Sequence, residues 1–243
     1  MASQWQNFLR NEGEWLGTFA SLSSAGELLQ ETPSLLSLEQ GEEGRLVRFR
    51  LRRYGPEGRE APPTSDFQQE YRSLGRQVVF FETGAFSKGS MQVAPGSAFG
   101  VETGFVAGDR RHRLVQLYLP DGGAEKLVLI REFRLGSDEP ERPALTSEQL
   151  LGPWQGEAAT VSADWPEPVL DSCTVSFTPA DAAGLLLLAD GGYCRRPLRV
   201  SHRQAFSVEA GWLAAPDRLE RLIRSYDDSG AWQGSRHECL KRC

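Results

Sequence analysis

The chain has 243 residues, with 27 basic and 33 acidic groups and a net charge of −6. Residues 1–141 hold 16 of the basic and 20 of the acidic groups, so neither half is the basic footprint of a nucleic-acid binder. The longest apolar run, Leu185 to Ala189, is too short to cross a bilayer, and Met1 to Arg10 lack the basic-then-apolar pattern of a secretory leader, so a soluble, cytoplasmic protein is expected.

Taken in chain order, Ser3 and Gln6 form a capping box that predicts a short helix, and Gly13-Glu14-Trp15-Leu16-Gly17 follows it. Strands are predicted at Leu16 to Leu22 and at Arg45 to Tyr54, where Val47, Phe49 and Leu51 alternate with Arg48, Arg50 and Arg52. The Arg- and Pro-rich stretch Arg52 to Ser65 reads as a long surface excursion. Further strands are predicted at Gln77 to Glu82, Phe86 to Val93, Phe99 to Val106, Arg113 to Leu119 and Lys126 to Arg134. Turn residues such as Ala107-Gly108-Asp109 and Pro120-Asp121-Gly122-Gly123 separate them, which suits an antiparallel meander. A polar segment with two prolines, 138–145, is the expected linker. A second capping box at Thr146 and Gln149 then leads into Gly152-Pro153-Trp154-Gln155-Gly156.

The second half repeats the first. Ala98 to Ala124 aligns without a gap on Ala205 to Ala231, 107 residues later, with 10 of 27 positions identical, among them Glu102 with Glu209 and Arg111 with Arg218. Roughly one or two identities are expected from average composition, so the match marks a duplicated unit. The two G-x-W-x-G motifs are 139 residues apart, so the second copy lacks 32 residues that the first contains. The resulting organisation is a first unit at 1–137, a linker at 138–145 and a shorter second unit at 146–243.

Signals for chemistry are sparse. His112, His202 and His237 do not fall on one another at the repeat offset, and no nucleophile elbow, H-E-x-x-H or phosphate loop is present. Cys173, Cys194, Cys239 and Cys243 are expected as free thiols, and His237 with Cys239 and Cys243 is too sparse a set for zinc. No catalytic residue, cofactor or metal is expected. The contacts to consider for a ligand or partner are Arg48, Arg50 and Arg52 on one strand face, and the repeated Glu102 and Glu209. Those carboxylates need a partner if buried, with Arg111 and Arg218 as candidates.

A short helix, then G-x-W on the first strand, then a meander, resembles the opening of a calycin barrel of the lipocalin and fatty-acid-binding-protein superfamily. The fold this implies is all-β, with two tandem antiparallel lipocalin-like barrels, each preceded by a short helix. The resemblance implies that Trp15 and Trp154 close one end of each barrel, with Arg134 and Lys241, at the 107 offset, against their rings. Bilin lyases are single barrels of this kind. Carriage of an apolar or tetrapyrrole ligand, or lyase-like activity, is therefore the alternative function.

The segments SQWQNFLRNEGEWLGTF, FFETGAFSKGSMQVAPGSAFGVETGF, KLVLIREFR and LLGPWQGEA more closely resemble a cyanobacterial and chloroplast family described as a domain of unknown function. That family includes a chloroplast biogenesis factor for the ATP synthase, thought to bind β and γ subunits. The resemblance implies a non-enzymatic assembly factor that works through protein contacts.

Overall fold

The structure is a computed structural model that describes residues 2–243. A capped helix α1 (Gln4–Leu9) leads into β1 (Gly13–Ser23), β2 (Leu28–Gly41), β3 (Leu46–Arg53) and β4 (Ser65–Tyr71). The strands β5 (Val78–Phe80), β6 (Phe86–Gly89), β7 (Phe99–Ala107), β8 (Arg110–Tyr118) and β9 (Ala124–Arg134) complete the first sheet. Every neighbour is antiparallel, and β9 returns to pair with β1, Trp15 opposite Arg134. The sheet is thus an up-and-down barrel whose ladder is open only between β4 and β5.

The second sheet repeats this plan with β10 (Gly152–Ser162), β11 (Val169–Phe177), β12 (Leu186–Leu187), β13 (Gly192–Arg195), β14 (Phe206–Ala215), β15 (Arg218–Tyr226) and β16 (Trp232–Arg242). It is open between β11 and β12, where a short helix α2 (Pro179–Ala183) crosses. Instead of a helix, a single 3-10 turn at Ser147–Gln149 precedes it, with the Thr146 N–H donating to Gln149 Oε1 at 2.9 Å. The segment 138–145 is tied down, because the Arg142 guanidinium donates to the Leu213 carbonyl at 2.7 Å.

The 32 residues peculiar to the first copy are chiefly β3 and β4, a hairpin with no counterpart in the second sheet. The irregular and largely exposed connection between them, 54–64, is the surface excursion expected at Arg52 to Ser65. β4 escapes sequence patterning because six of its seven residues are exposed at the sheet edge, where no alternation is imposed. β2 escapes because it contains Pro33 and because Leu35, Leu36 and Leu38 are all buried, which breaks the period of two.

The copies also differ by one residue in register. A bulge between Leu213 and Ala215 adds a residue to the β14–β15 hairpin, so the equivalence is 107 before it and 108 after it. Arg218 therefore corresponds to Arg110, Arg221 to Arg113 and Arg242 to Arg134. A shift of one residue exchanges the two faces of a strand, so it decides which charges point inward.

The barrels pack on each other through the outer faces of β7 and β8 against β14 and β15, in an apolar cluster that draws on both sheets. The contacts are reciprocal. Val93 N–H donates to the Gly230 carbonyl at 2.8 Å, and its equivalent Val200 donates to Gly122 at 2.9 Å. Trp232 N–H reaches the Met91 carbonyl at 2.9 Å, and Ala124 reaches Leu198 at the same distance. Equivalent rings meet across the pseudo-twofold, Phe99 on Phe206 at 5.7 Å and Phe105 on Trp212 at 6.3 Å. This is the isologous pattern of a C2 dimer, held within one chain.

Candidate functional site: the interior of the first barrel

Both tryptophans of the G-x-W motifs are fully buried, and each indole N–H donates to the carbonyl four residues earlier: Trp15 to Asn11 at 2.9 Å and Trp154 to Leu150 at 2.8 Å. The Arg134 guanidinium lies 4.4 Å from the Trp15 ring centroid and donates to the Glu12 carbonyl at 2.8 Å. On Trp154 the cation is Arg242, at 4.2 Å, donating to the Leu151 carbonyl at 2.9 Å. Lys241 is not the closing residue. The bulge turns it to the opposite face, where it is exposed beside Gln155 in the register. Arg242→Ala is expected to lower stability by about 0.5–2 kcal/mol and Lys241→Ala by under about 0.5 kcal/mol, read from denaturant midpoints.

The interiors carry buried ion networks, and their partners differ from the expected Arg111 and Arg218. Glu102 on β7 accepts from Arg113 Nη1 at 2.7 Å. Arg113 also donates to both oxygens of Glu132, at 3.0 and 2.8 Å, while Arg111 Nε donates to Glu132 at 2.7 Å. Burial raises the Glu132 carboxyl, but the charges and hydrogen bonds of the two arginines outweigh it and hold it at about 2. In the second barrel Glu209 pairs with Arg221 at 3.0 Å and accepts from the Tyr193 hydroxyl at 2.9 Å, and Arg221 reaches Glu238 at 2.6 Å. Glu102 lines the first cavity, whereas Glu209 is closed off by Tyr193.

The interiors diverge in content. The first encloses a cavity of about 530 Å³ with walls from α1 and all nine strands. The extra hairpin contributes Phe49, Leu51, Phe67 and Tyr71 to it. In the second, the tyrosine ring of Tyr193 stands in the place of Phe86, and Leu219 and Leu240 replace Arg111 and Glu132. Those residues pack with Trp154 and Phe177 into one apolar cluster. Gly104 and Gly211, identical in the repeat, let these interior rings lie flat on β7 and β14, because a Cβ at either would collide with Phe86 or Tyr193.

Arg48, Arg50 and Arg52 project from the outer face of β3, away from the cavity. Arg50 is bidentate on Asp66 at 2.9 and 2.6 Å, Arg48 lies 3.6 Å from Glu70 and Arg52 lies 3.9 Å from Glu14. Sequence patterning put these three forward and overlooked Arg113 and Glu132. A one-gap alignment of Arg110-Arg111-His112-Arg113-Leu114 on Arg218-Leu219-Glu220-Arg221-Leu222 would have picked out Arg113.

Between the barrels, His237 Nε2 lies 3.1 Å from Glu220 Oε2, and Cys239 Sγ is 3.8 Å from the ring. These three ligand types fall within 4.8 Å of one another, whereas Cys243 stands apart from the group. His237 and Glu220 already satisfy each other as an ion pair. Burial disfavours the His237 cation, but hydrogen bonds to Cys239 and Glu220 outweigh it and raise the group to about 9. His112 moves the other way, because burial outweighs Asp190 at 3.5 Å. A raised value means stability present below about pH 6.5 and lost as pH rises through about 9. Imidazole NMR at pH 7.5 is expected to show His237 charged and His112 neutral. His237→Gln is expected to flatten the alkaline decline in unfolding free energy.

A family model described as "Domain of unknown function (DUF3598), N-terminal" matches residues 1–137. A solved structure from Nostoc punctiforme PCC 73102, described as a DUF3598 protein with unknown function, is 36% identical over 100% of both chains, with a TM-score of 0.90. This chain belongs to the DUF3598 family. A second model, described as "Biogenesis factor required for ATP synthase 1, C-terminal domain", matches residues 141–182 and 169–238 of this chain. An S-type phycobiliprotein lyase from Guillardia theta is 16% identical over 56% of this chain and 95% of its own, at a TM-score of 0.38. No curated protein matches. No helix among the described residues of this DUF3598 protein is long and apolar enough to cross a membrane.

Proposed function

We propose that this protein is a soluble, cytoplasmic, non-enzymatic assembly factor that binds the β or γ subunit of the ATP synthase catalytic head. The observation that carries this reading is the match of the second barrel to the C-terminal domain of an ATP synthase biogenesis factor. The chemistry of the buried groups agrees with a scaffold. Glu132 is consumed by two arginines, His237 by Glu220, and burial pushes the Cys194 thiol up to about 12, far from a usable nucleophile.

Docking is assigned to the outer face of the β3–β4 hairpin, which only the first copy has. Its arginines are held by exposed acids, and exposed pairs are worth about 0–1 kcal/mol, so Arg48, Arg50 and Arg52 can exchange those acids for an acidic partner surface at little cost. The test is recovery of the tagged chain from its native cell, with the co-purifying proteins identified by mass spectrometry. β or γ subunits are expected. A pigment or lipid in their place, with no head subunit, would sink the assembly reading.

A further inference from the structure

We propose that the free edge of β11 is a strand-addition site, which takes an extended basic segment of a partner protein in the place that β3 fills in the first barrel. Trp15 faces Leu36 and Trp154 faces Val175, so β11 is the equivalent of β2. β2 is paired on both sides, by β1 and by β3. β11 has β10 on one side only, and its other edge makes no backbone hydrogen bond among the described residues. The packing differs accordingly. Ser34 and Leu36 are buried beside β3, whereas their equivalents Cys173 and Val175 are half-buried.

In the first barrel the Tyr54 N–H donates to the Pro33 carbonyl at 2.9 Å, so alternate residues from Pro33 onward, Leu35 and Ser37, turn their backbone groups toward β3. Their equivalents in β11, with backbone groups turned outward, are Ser172, Thr174 and Ser176. Sheet edges are usually guarded by shortness, charge or proline. β5 and β12 are three and two residues long, and β4 carries Asp66 and Glu70. β11 has nine residues, no proline and a single charge, Asp171, with Val169 62% and Leu170 59% exposed. The surrounding charge selects the occupant. Residues 152–178 hold Glu157, Asp164, Glu167 and Asp171 and no basic side chain, and among the described residues only Asp171 has a basic partner, Arg236. That charge repels a second copy of the same hairpin and attracts a basic segment. β3 has this chemistry, with Val47, Phe49 and Leu51 alternating with Arg48, Arg50 and Arg52.

The edge is separate from the β3–β4 face and does not depend on the assembly role, so each can fail alone. The probe is a synthetic peptide of residues 45–54, RLVRFRLRRY, titrated into the full chain and followed by fluorescence anisotropy and by amide hydrogen exchange. One peptide per chain is expected, with exchange slowed about tenfold or more at Ser172 and Thr174 and unchanged in β4. Thr174→Pro, which removes an outward N–H and leaves the ladder to β10 in place, is expected to weaken binding about tenfold or more. The peptide carrying Arg48→Glu/Arg50→Glu/Arg52→Glu is expected to bind the wild-type chain at least about tenfold more weakly than the original. Should Thr174→Pro not fold, the exchange pattern of the wild-type chain and the charge-reversed peptide decide the matter. No binding, protection in β4 in place of β11, equal binding of the charge-reversed peptide, unchanged binding to Thr174→Pro, or a wild-type dimer that Thr174→Pro dissolves would overturn the proposal.

Discussion

Replacing Trp212 with alanine is expected to lower the unfolding free energy by about 3–5 kcal/mol. Trp212 is fully buried at the contact between the barrels, stacked on His112 at 5.6 Å and 15°, with the Arg110 guanidinium 5.2 Å from its ring. Its indole N–H donates to the Asp190 carbonyl at 2.8 Å, so truncation removes ring contacts, a cation over the indole and a buried hydrogen bond together. Because one apolar cluster draws on both sheets, the wild-type chain is expected to unfold in a single transition. Guanidinium denaturation followed by circular dichroism and by tryptophan fluorescence reads both quantities. A loss below about 1 kcal/mol, or two separated wild-type transitions, would mean that the barrels are joined only by the linker.

The second large effect is expected at Glu132. Its carboxylate is shared by Arg111 and Arg113, so Glu132→Ala leaves two buried cations short of a counter-charge and is expected to cost about 3–5 kcal/mol. The double replacement Arg111→Leu with Glu132→Leu copies Leu219 and Leu240 of the second barrel, and is expected to recover more than half of that loss. Because the Glu132 carboxyl is held at about 2 in the folded chain, its contribution is present above about pH 4.3 and is lost as pH falls toward 2. Unfolding curves between pH 6 and pH 3 are expected to converge for the wild type and Glu132→Gln. Curves that stay parallel through that range would show that the carboxylate is not held down by its arginines.

The parts of the fold legible in the sequence are those whose physics is local or repeated. The G-x-W motifs mark first strands because a side chain at Gly17 or Gly156 would strike the backbone of the adjoining last strand. The alternation of Phe49 and Leu51 with Arg50 and Arg52 shows a strand with one face on the cavity. Other features depend on strand register, which sequence spacing does not reveal. A single bulged residue near Ala214 moved the cation over Trp154 from Lys241 to Arg242. The partners of the repeated glutamates depend on cross-strand geometry in both copies, Arg113 in place of Arg111 for Glu102 and Arg221 in place of Arg218 for Glu209. The polar edge strand β4 escaped notice because an exposed edge imposes no pattern, so of the hairpin that widens the first barrel only β3 and the connection after it were legible.

The two copies share the groups that build a barrel and differ in the hairpin, in Arg111 and in Glu132. Capture of purified ATP synthase β and γ subunits tests the central assignment most directly, with the wild-type chain and Arg48→Glu/Arg50→Glu/Arg52→Glu run side by side. Arg48 is exposed and Arg50 and Arg52 are half-buried on the outer face, outside the apolar cores, so the variant is expected to stay folded with a lowered denaturation midpoint, because the new carboxylates face Glu70, Asp66 and Glu14. The prediction is that the wild-type chain retains a head subunit and that the triple variant retains at least about tenfold less, a loss consistent with removing charged anchors. Indistinguishable behaviour of the two chains, whether both retain a subunit or neither does, would contradict it.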